Sequence, residues 1–229
     1  MRRFILTAVV ALLVVTSGCV GLITGDTVAF EASEGTVSDS ALDSTGYETD
    51  NTSERTITRN VSFFGQERTI RIVNHVTQYT KDGSLANATG NETLKRAVEA
   101  GRIDSTSVPG LSQFVVLSSP GAEVAGQALN PAATWSNERI LEQLADQTGQ
   151  LNNVEQDGSR TVESLGDSRE VTAFTGTTDV QGREVDVRVH VASFEHEGDV
   201  IIAVGVHPER LDEEENIDEL VGGIEHSGN

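Results

Sequence analysis

The apolar positions of this chain follow two periods, and the second half shows both most clearly. From Glu184 to Phe194 the pattern alternates: Val185, Val187, Val189 and Val191 point one way, and Glu184, Asp186, Arg188 and His190 point the other. A period of two over this length is a strand with one buried and one wet face. The tetrapeptide His196-Glu197-Gly198-Asp199 turns the chain into Val200–His207, which is apolar nearly throughout and so reads as a central strand, ended by Pro208. Arg160–Leu165 and Arg169–Thr177 precede it as two further strands. Helical spacing appears twice. Asn137–Thr148 places Ile140, Leu141 and Leu144 on one face, with Ser136 as N-cap and Gly149 as stop. After the acidic run Asp212–Glu215, which suits the positive end of a helix dipole, Ile217, Leu220, Val221 and Ile224 form the stripe of a last helix.

The first half carries a fainter pattern. Val28–Glu31 is a short strand, and Ser38–Thr45 a small helix capped by Ser38 and stopped by Gly46. Asp50–Ser53 reads as a polar loop. Arg55–Phe64 alternates imperfectly, Gly65-Gln66 makes a turn, and Thr69–Tyr79 is a second strand through Ile70, Ile72 and Val76. Lys81–Gly90 is loop. Glu92–Ala100 has Leu94, Ala97 and Val98 at helical spacing. Gln113–Ser118 is a strand closed by Pro120, and Ala122–Leu129 is a strand or an excursion ended by Asn130-Pro131. The predicted class is α+β: a twisted, mainly antiparallel sheet with helices packed on it, in two units over residues 27–129 and 130–229.

Those two units read alike. His75-Val76-x-x-Tyr79-x-x-Asp82-Gly83 matches His190-Val191-x-x-Phe194-x-x-Glu197-Gly198, and Asp43-Ser44-Thr45-Gly46 matches Asp146-Gln147-Thr148-Gly149. Arg55-Thr56-Ile57 matches Arg160-Thr161-Val162, and each half ends in a strand before a proline. Self-similarity in fixed order is the mark of duplication. It predicts superposable helix-plus-meander units with His75 and His190 in equivalent surroundings.

The N-terminus has a different character. Met1-Arg2-Arg3 precedes Phe4–Val15, twelve residues that are apolar except for Thr7, and then Thr16-Ser17-Gly18-Cys19. Charged, apolar and small-residue regions in that order describe an export signal. Twelve apolar residues fall short of the roughly twenty that span a bilayer. Cys19, the only cysteine, stands where a lipoprotein precursor is lipidated and cut, with Thr16, Ser17 and Gly18 as the cleavage context. Residues 1–18 are then the signal peptide, and 19–26 the attachment site and tether. The alternative is an uncleaved anchor running from Phe4 to Ile23. The paired arginines leave both the general and the twin-arginine export routes open. Either way the expected location is the outer face of the cell membrane.

Charge narrows the partners. The chain holds 16 basic and 36 acidic residues, net −20. Removing residues 1–18 deletes Arg2 and Arg3, leaving 14 − 36 = −22. Such a surface attracts neither nucleic-acid phosphates nor anionic lipid by charge. Acidic excess with only two lysines, Lys81 and Lys95, looks haloarchaeal. In molar salt the screening length is about 3 Å, and self-repulsion largely vanishes. A single cysteine also excludes an internal disulfide.

Candidate chemistry is sparse. The five histidines are His75, His190, His196, His207 and His226. No paired-cysteine, His-x-His or HExxH spacing is present, so neither a metal site nor a cofactor is expected. No Gly-x-Ser-x-Gly elbow and no glycine-rich phosphate loop occur, and no catalytic residue is assigned. His207 can approach His190 from the next strand, which leaves a hydrolase or metal-dependent enzyme using His190 and His207 with nearby carboxylates as the catalytic alternative. Glycosylation sequons stand at Asn51, Asn60, Asn87 and Asn91. Asn51, Asn87 and Asn91, expected in loops, are the better acceptors.

With Cys19, Thr36-Val37-Ser38-Asp39, Asn130-Pro131, Val204-Gly205-Val206-His207-Pro208 and acidic Asp212–Glu215 together, the chain resembles a family of haloarchaeal surface lipoproteins of uncharacterised function. The resemblance brings no catalytic residue with it. In element order alone the second half looks like a PsbP-type α/β/α sandwich. The function expected is a lipid-anchored surface protein that binds a protein or small ligand without catalysis. A purely structural envelope component is the third reading.

Overall fold

In a computed structural model of the chain, the described residues are 27–63, 66–84, 92, 96, 107–121, 123–124, 127–128, 130–148, 151–180 and 182–226. The signal and Cys19 segment, Asn87 and Asn91 lie outside them. Of the helix expected over Glu92–Ala100, Glu92 and Arg96 are described, and both are helical.

The α+β expectation is overturned: the chain is mainly β. Its strands in order are β1 (Val28–Glu31), β2 (Gly35–Val37), β3 (Glu48–Phe63), β4 (Gln66–Ser84), β5 (Ser107–Pro120), β6 (Glu123–Val124), β7 (Gln127–Ala128), β8 (Asn152–Ser164), β9 (Asp167–Val180), β10 (Arg183–His196), β11 (Asp199–Pro208) and β12 (Ile224–His226). The helices described over their full length are short: α1 (Asp39–Thr45), α2 (Asn137–Thr148) and α3 (Glu214–Gly222), with a 3-10 turn at Pro131–Thr134. Strand runs through Asp50–Ser53 and Lys81–Ser84, which read as loop, and through Asn152–Ser159, ahead of the strand expected from Arg160. Asp50–Ser53, Lys81–Gly83 and Asn152–Ser159 are exposed or half-exposed throughout. Without a buried face they show no apolar alternation, and their pairing in long hairpins was invisible to periodicity. Asn51, expected in a loop, is an exposed residue of β3 beside a register shift.

One eight-stranded sheet carries the molecule. Its path is β1-β4-β5-β11-β10-β9-β8, and β3 pairs β4. β4 spends one edge on β3 over its length. On the other edge it takes β1 in parallel at Ile70–Val73 and then β5 antiparallel from His75. β8 to β11 form the expected antiparallel meander. The two halves join where β5 meets β11, antiparallel from Asp199↔Pro120 to Val206↔Gln113.

Both faces of the sheet are covered. Val185, Val187, Val189 and Val191 pack with Phe174, Val200 and Ile202 under Ile140 and Leu141 of α2. The face that the alternation read as wet is also buried at its centre. Tyr79, Phe114, Val116, Val171, Ala192, Ile201 and Ala203 pack there against Ala41 of α1 and Ile217, Leu220 and Val221 of α3. Ile224, expected to extend the stripe of α3, lies in β12, which pairs with β2. α3 comes close because Gly205 has no side chain: a Cβ there would lie 2.6 Å from Ile217 Cδ1.

This layering also removes the duplication. α1 and α2 would be equivalent, yet they cover opposite faces of the sheet. His75 is half-buried beside Glu31, Nε2 to Oε1 3.9 Å. His190 is buried and meets another histidine edge to edge.

Candidate functional site

The strongest cluster of ionisable groups lies under the first turn of α3. The alternation that turns Val189 and Val191 toward α2 turns Arg188 and His190 toward α3. β11 brings His207 directly across from Arg188. His190 and His207 meet edge to edge, nearly coplanar, with ring centres 5.2 Å apart and planes 12° from parallel. Their Nε2 atoms are 3.0 Å apart, and the residues are 1% and 2% exposed.

The contacts at either end fix the protons. Arg160 Nη1 lies 3.1 Å from His190 Nδ1. A guanidinium only donates, so Nδ1 accepts and His190 carries its proton on Nε2. At the other end His207 Nδ1 lies 2.9 Å from the carbonyl oxygen of Pro208. A carbonyl only accepts, so His207 is protonated on Nδ1 and accepts at Nε2. The chain of bonds runs one way, from Arg160 through His190 and His207 to the Pro208 carbonyl, with both rings neutral. A further proton on either ring would set N–H against N–H. Burial, then the positive charge of Arg160, pushes His190 down to about 3. Burial also lowers His207, against an opposing pull from its bond to Pro208 and the charges of Glu213 and Glu214.

A ring of ion pairs closes around the histidines and ties α3 to the sheet. Arg160 Nε donates to both carboxylate oxygens of Asp218, at 2.7 and 2.9 Å. Arg188 donates to Glu214 at 3.2 Å and to Asp157 at 2.6 Å. Lys81 Nζ sits 2.9 Å from Glu213 Oε1, at the residue before α3. In a chain with so few cations, three in one place mark a structural junction. Outside this ring a depression of ≈ 410 Å³ is bordered by Arg188, His207 and the acidic run Asp212–Glu215. Sequence reasoning found His190, His207 and the acidic run, but missed Arg160, Arg188, Lys81 and Asp218. Their partners are 26 to 132 residues away, and no local spacing records them.

A second, polar cleft of ≈ 490 Å³ lies between α1, β2 and the β3–β4 hairpin, lined by Thr36, Ser38, Ser40, Thr49, Thr52 and Tyr79 among others. Tyr79 reaches into it from the core, and its hydroxyl accepts from Val37 N at 2.7 Å. Burial raises the Tyr79 hydroxyl above the ordinary phenol range.

A family model described as a domain of unknown function, DUF6517, matches residues 34–225. The chain belongs to the DUF6517 family. No curated protein matches it. The DUF6517 region takes in both clefts, the histidine pair and every strand of the main sheet except β1. Cys19 and its context precede the region. Trp135, two residues ahead of α2, is partly buried against the α2 side of the core, with the Arg139 guanidinium 5.8 Å from its ring centre. Among the described residues no helix is long and apolar enough to cross a membrane.

Proposed function

We propose that this DUF6517 protein is a lipid-anchored protein of the outer membrane face that works by binding, not by catalysis. The observation that carries the second half is the sealed histidine pair. All four imidazole nitrogens are committed to Arg160, to each other or to Pro208. A general base needs a nitrogen within reach of a substrate proton and a pKa near the working pH. His190 has neither, which disfavours the hydrolase alternative. The cleft beside Tyr79, lined by hydroxyls and by the carboxylates of Asp39 and Glu225, is the better place for a ligand, and acceptors of both kinds suit a neutral polyhydroxylated one such as a sugar. The Cys19 context supports the anchor. Two acyl chains on that thiol would give stable attachment at about 0.8 kcal/mol per buried methylene. High negative charge fits an envelope bathed in molar salt.

Intact-mass analysis of detergent-extracted protein tests the anchor. A chain beginning at Cys19 with added lipid mass, and release of Cys19→Ser from the membrane fraction, are expected. An unmodified Cys19 in a chain retaining residues 1–18 would leave the uncleaved anchor instead. Saturation-transfer NMR with neutral mono- and disaccharides tests the cleft. Transfer that Thr52→Trp abolishes is expected, and transfer that the variant leaves untouched would remove the cleft from the account.

A further inference from the structure

At the opposite end of β10 a different histidine has one ring nitrogen without a partner among the described residues. His226, in β12, is buried over the β10–β11 turn. Its Nε2 lies 3.1 Å from Asp199 Oδ2 and 3.4 Å from Ser118 Oγ. The carboxylate only accepts, so Nε2 carries the proton and donates. Asp199 is itself fixed, since the same Oδ2 accepts from Ser33 N at 2.8 Å. A neutral ring then keeps a lone pair on Nδ1. That atom is fully buried and has no hydrogen-bond partner among the described residues. A buried imidazole nitrogen left unpaired is costly and calls for an explanation.

The surroundings of the ring supply one. A ring nitrogen of His196, a carboxylate oxygen of Glu197 and a ring nitrogen of His226 all lie within 4.8 Å of one another. His196 meets His226 edge to face, centroids 5.6 Å apart. Glu197 and Gly198 are the two central residues of the hairpin, both at positive φ, 49° and 89°. Asn or Asp is the usual residue at that first position. Glu there accepts the same backbone conformation while its longer side chain reaches the histidines.

We infer that His196, Glu197 and His226 form a binding site for a divalent transition ion such as Zn²⁺, with Asp199 orienting His226 from behind. The ligand types are those of a three-coordinate protein site with an open fourth position. A carboxylate holding the far nitrogen of a ligating histidine is the usual outer support of such sites. Bonds of about 2.0–2.2 Å require the three atoms to draw in around the ion. His226 is fixed, and the adjustment falls to Glu197, which is exposed at the turn, and to half-buried His196. Bound there, the ion would pin β12 to the β10–β11 hairpin. Spacing gives no hint of the set, because 29 residues separate Glu197 from His226.

The test uses the full folded domain in molar KCl with excess Mg²⁺, so that nonspecific binding to acidic surface is suppressed. Zn²⁺ titration followed by calorimetry is expected to show one saturable site. Co²⁺ should give visible d–d absorption that Zn²⁺ displaces. His196→Ala and Glu197→Gln alter side chains at the turn and leave buried His226 in place. Each is expected to abolish the saturable site while circular dichroism stays unchanged. Asp199→Asn should weaken it by about 10–100-fold, the effect of losing an outer-sphere partner. In the wild type the ¹⁵N resonance of His226 Nδ1 should move on Zn²⁺ addition, and that of Nε2 should not lose its proton. Absence of a saturable site, or binding that His196→Ala and Glu197→Gln leave unchanged, would overturn the assignment.

Discussion

The bond between His190 Nε2 and His207 Nε2, 3.0 Å long, can carry its proton in one direction only. Arg160 must donate at one end and the Pro208 carbonyl must accept at the other. The pair is therefore a neutral, directional hydrogen-bond relay buried under α3, and its consequences are those of a core network: stability, pH dependence and rigidity.

Acid should weaken the fold through this pair before most carboxylates titrate. In the unfolded chain His190 titrates near 6.5, and in the folded chain at about 3. Between those values the unfolded state binds the extra proton, so stability is fully present above 6.5 and falls as pH drops below it. One such group contributes a slope of about 1.4 kcal/mol per pH unit, or on the order of 2–3 kcal/mol by pH 4.5. His207, also depressed, adds in the same direction. Chemical denaturation from pH 8 to 5 checks this. His190→Leu, though less stable at neutral pH, should show a flatter slope by about one proton; equal slopes would count against a neutral His190.

Arg160 joins three elements: β8, the histidine on β10 and Asp218 on α3. Arg160→Met leaves His190 Nδ1 unpaired in the core and Asp218 without its cation. Losses of this kind cost on the order of 2–4 kcal/mol. Arg160→Lys keeps the charge but not the planar fork that meets Asp218 and His190 together, and should fall in between. Urea midpoints at pH 7.5 measure both.

Gly205 should not tolerate a methyl group. A Cβ at that position meets Ile217 Cδ1 at 2.6 Å, and overpacking of this kind costs about 1–3 kcal/mol. Ile217→Val removes the nearest atom. The double variant should therefore be more stable than the sum of its single effects implies, and strict additivity in a double-mutant cycle would contradict the contact.

The charge of −20 predicts salt dependence. Lowering KCl from about 1 M to 10 mM lengthens screening from about 3 Å to about 30 Å. The thermal midpoint should fall accordingly. An unchanged midpoint by circular dichroism would show that the acidic surface does not repel itself in the folded state.

How much of this was legible in the sequence depended on burial. Where one face of a strand is packed, as from Val185 to Val191, alternation located the strand and its inward face. Ser38 and Gly46 marked α1 through chemistry that acts locally: Ser38 Oγ accepts from Ala41 N, and Gly46 takes a left-handed conformation. Ser136 likewise stands one residue before α2. The arms of β3 and β8 have no buried side, so Thr, Ser and Glu there show no strand alternation, and the α+β class followed from undercounted strand. His190 looked wet because its neighbours Asp186 and Arg188 are polar. What buries it is α3, docked through Gly205, a contact that no window of sequence contains. The repeated His-Val-x-x-aromatic pattern records two strand ends on one face of the sheet, not two copies of a unit.

The most direct test of the sealed pair is long-range ¹H–¹⁵N NMR of the imidazole rings between pH 5 and 8. The account predicts two neutral rings across that range, His190 protonated on Nε2 and His207 on Nδ1, neither averaging with solvent. A ring that becomes charged near pH 6.5, or that shows the opposite tautomer, would contradict the relay. It would also return His190 and His207 to consideration as acid–base catalysts.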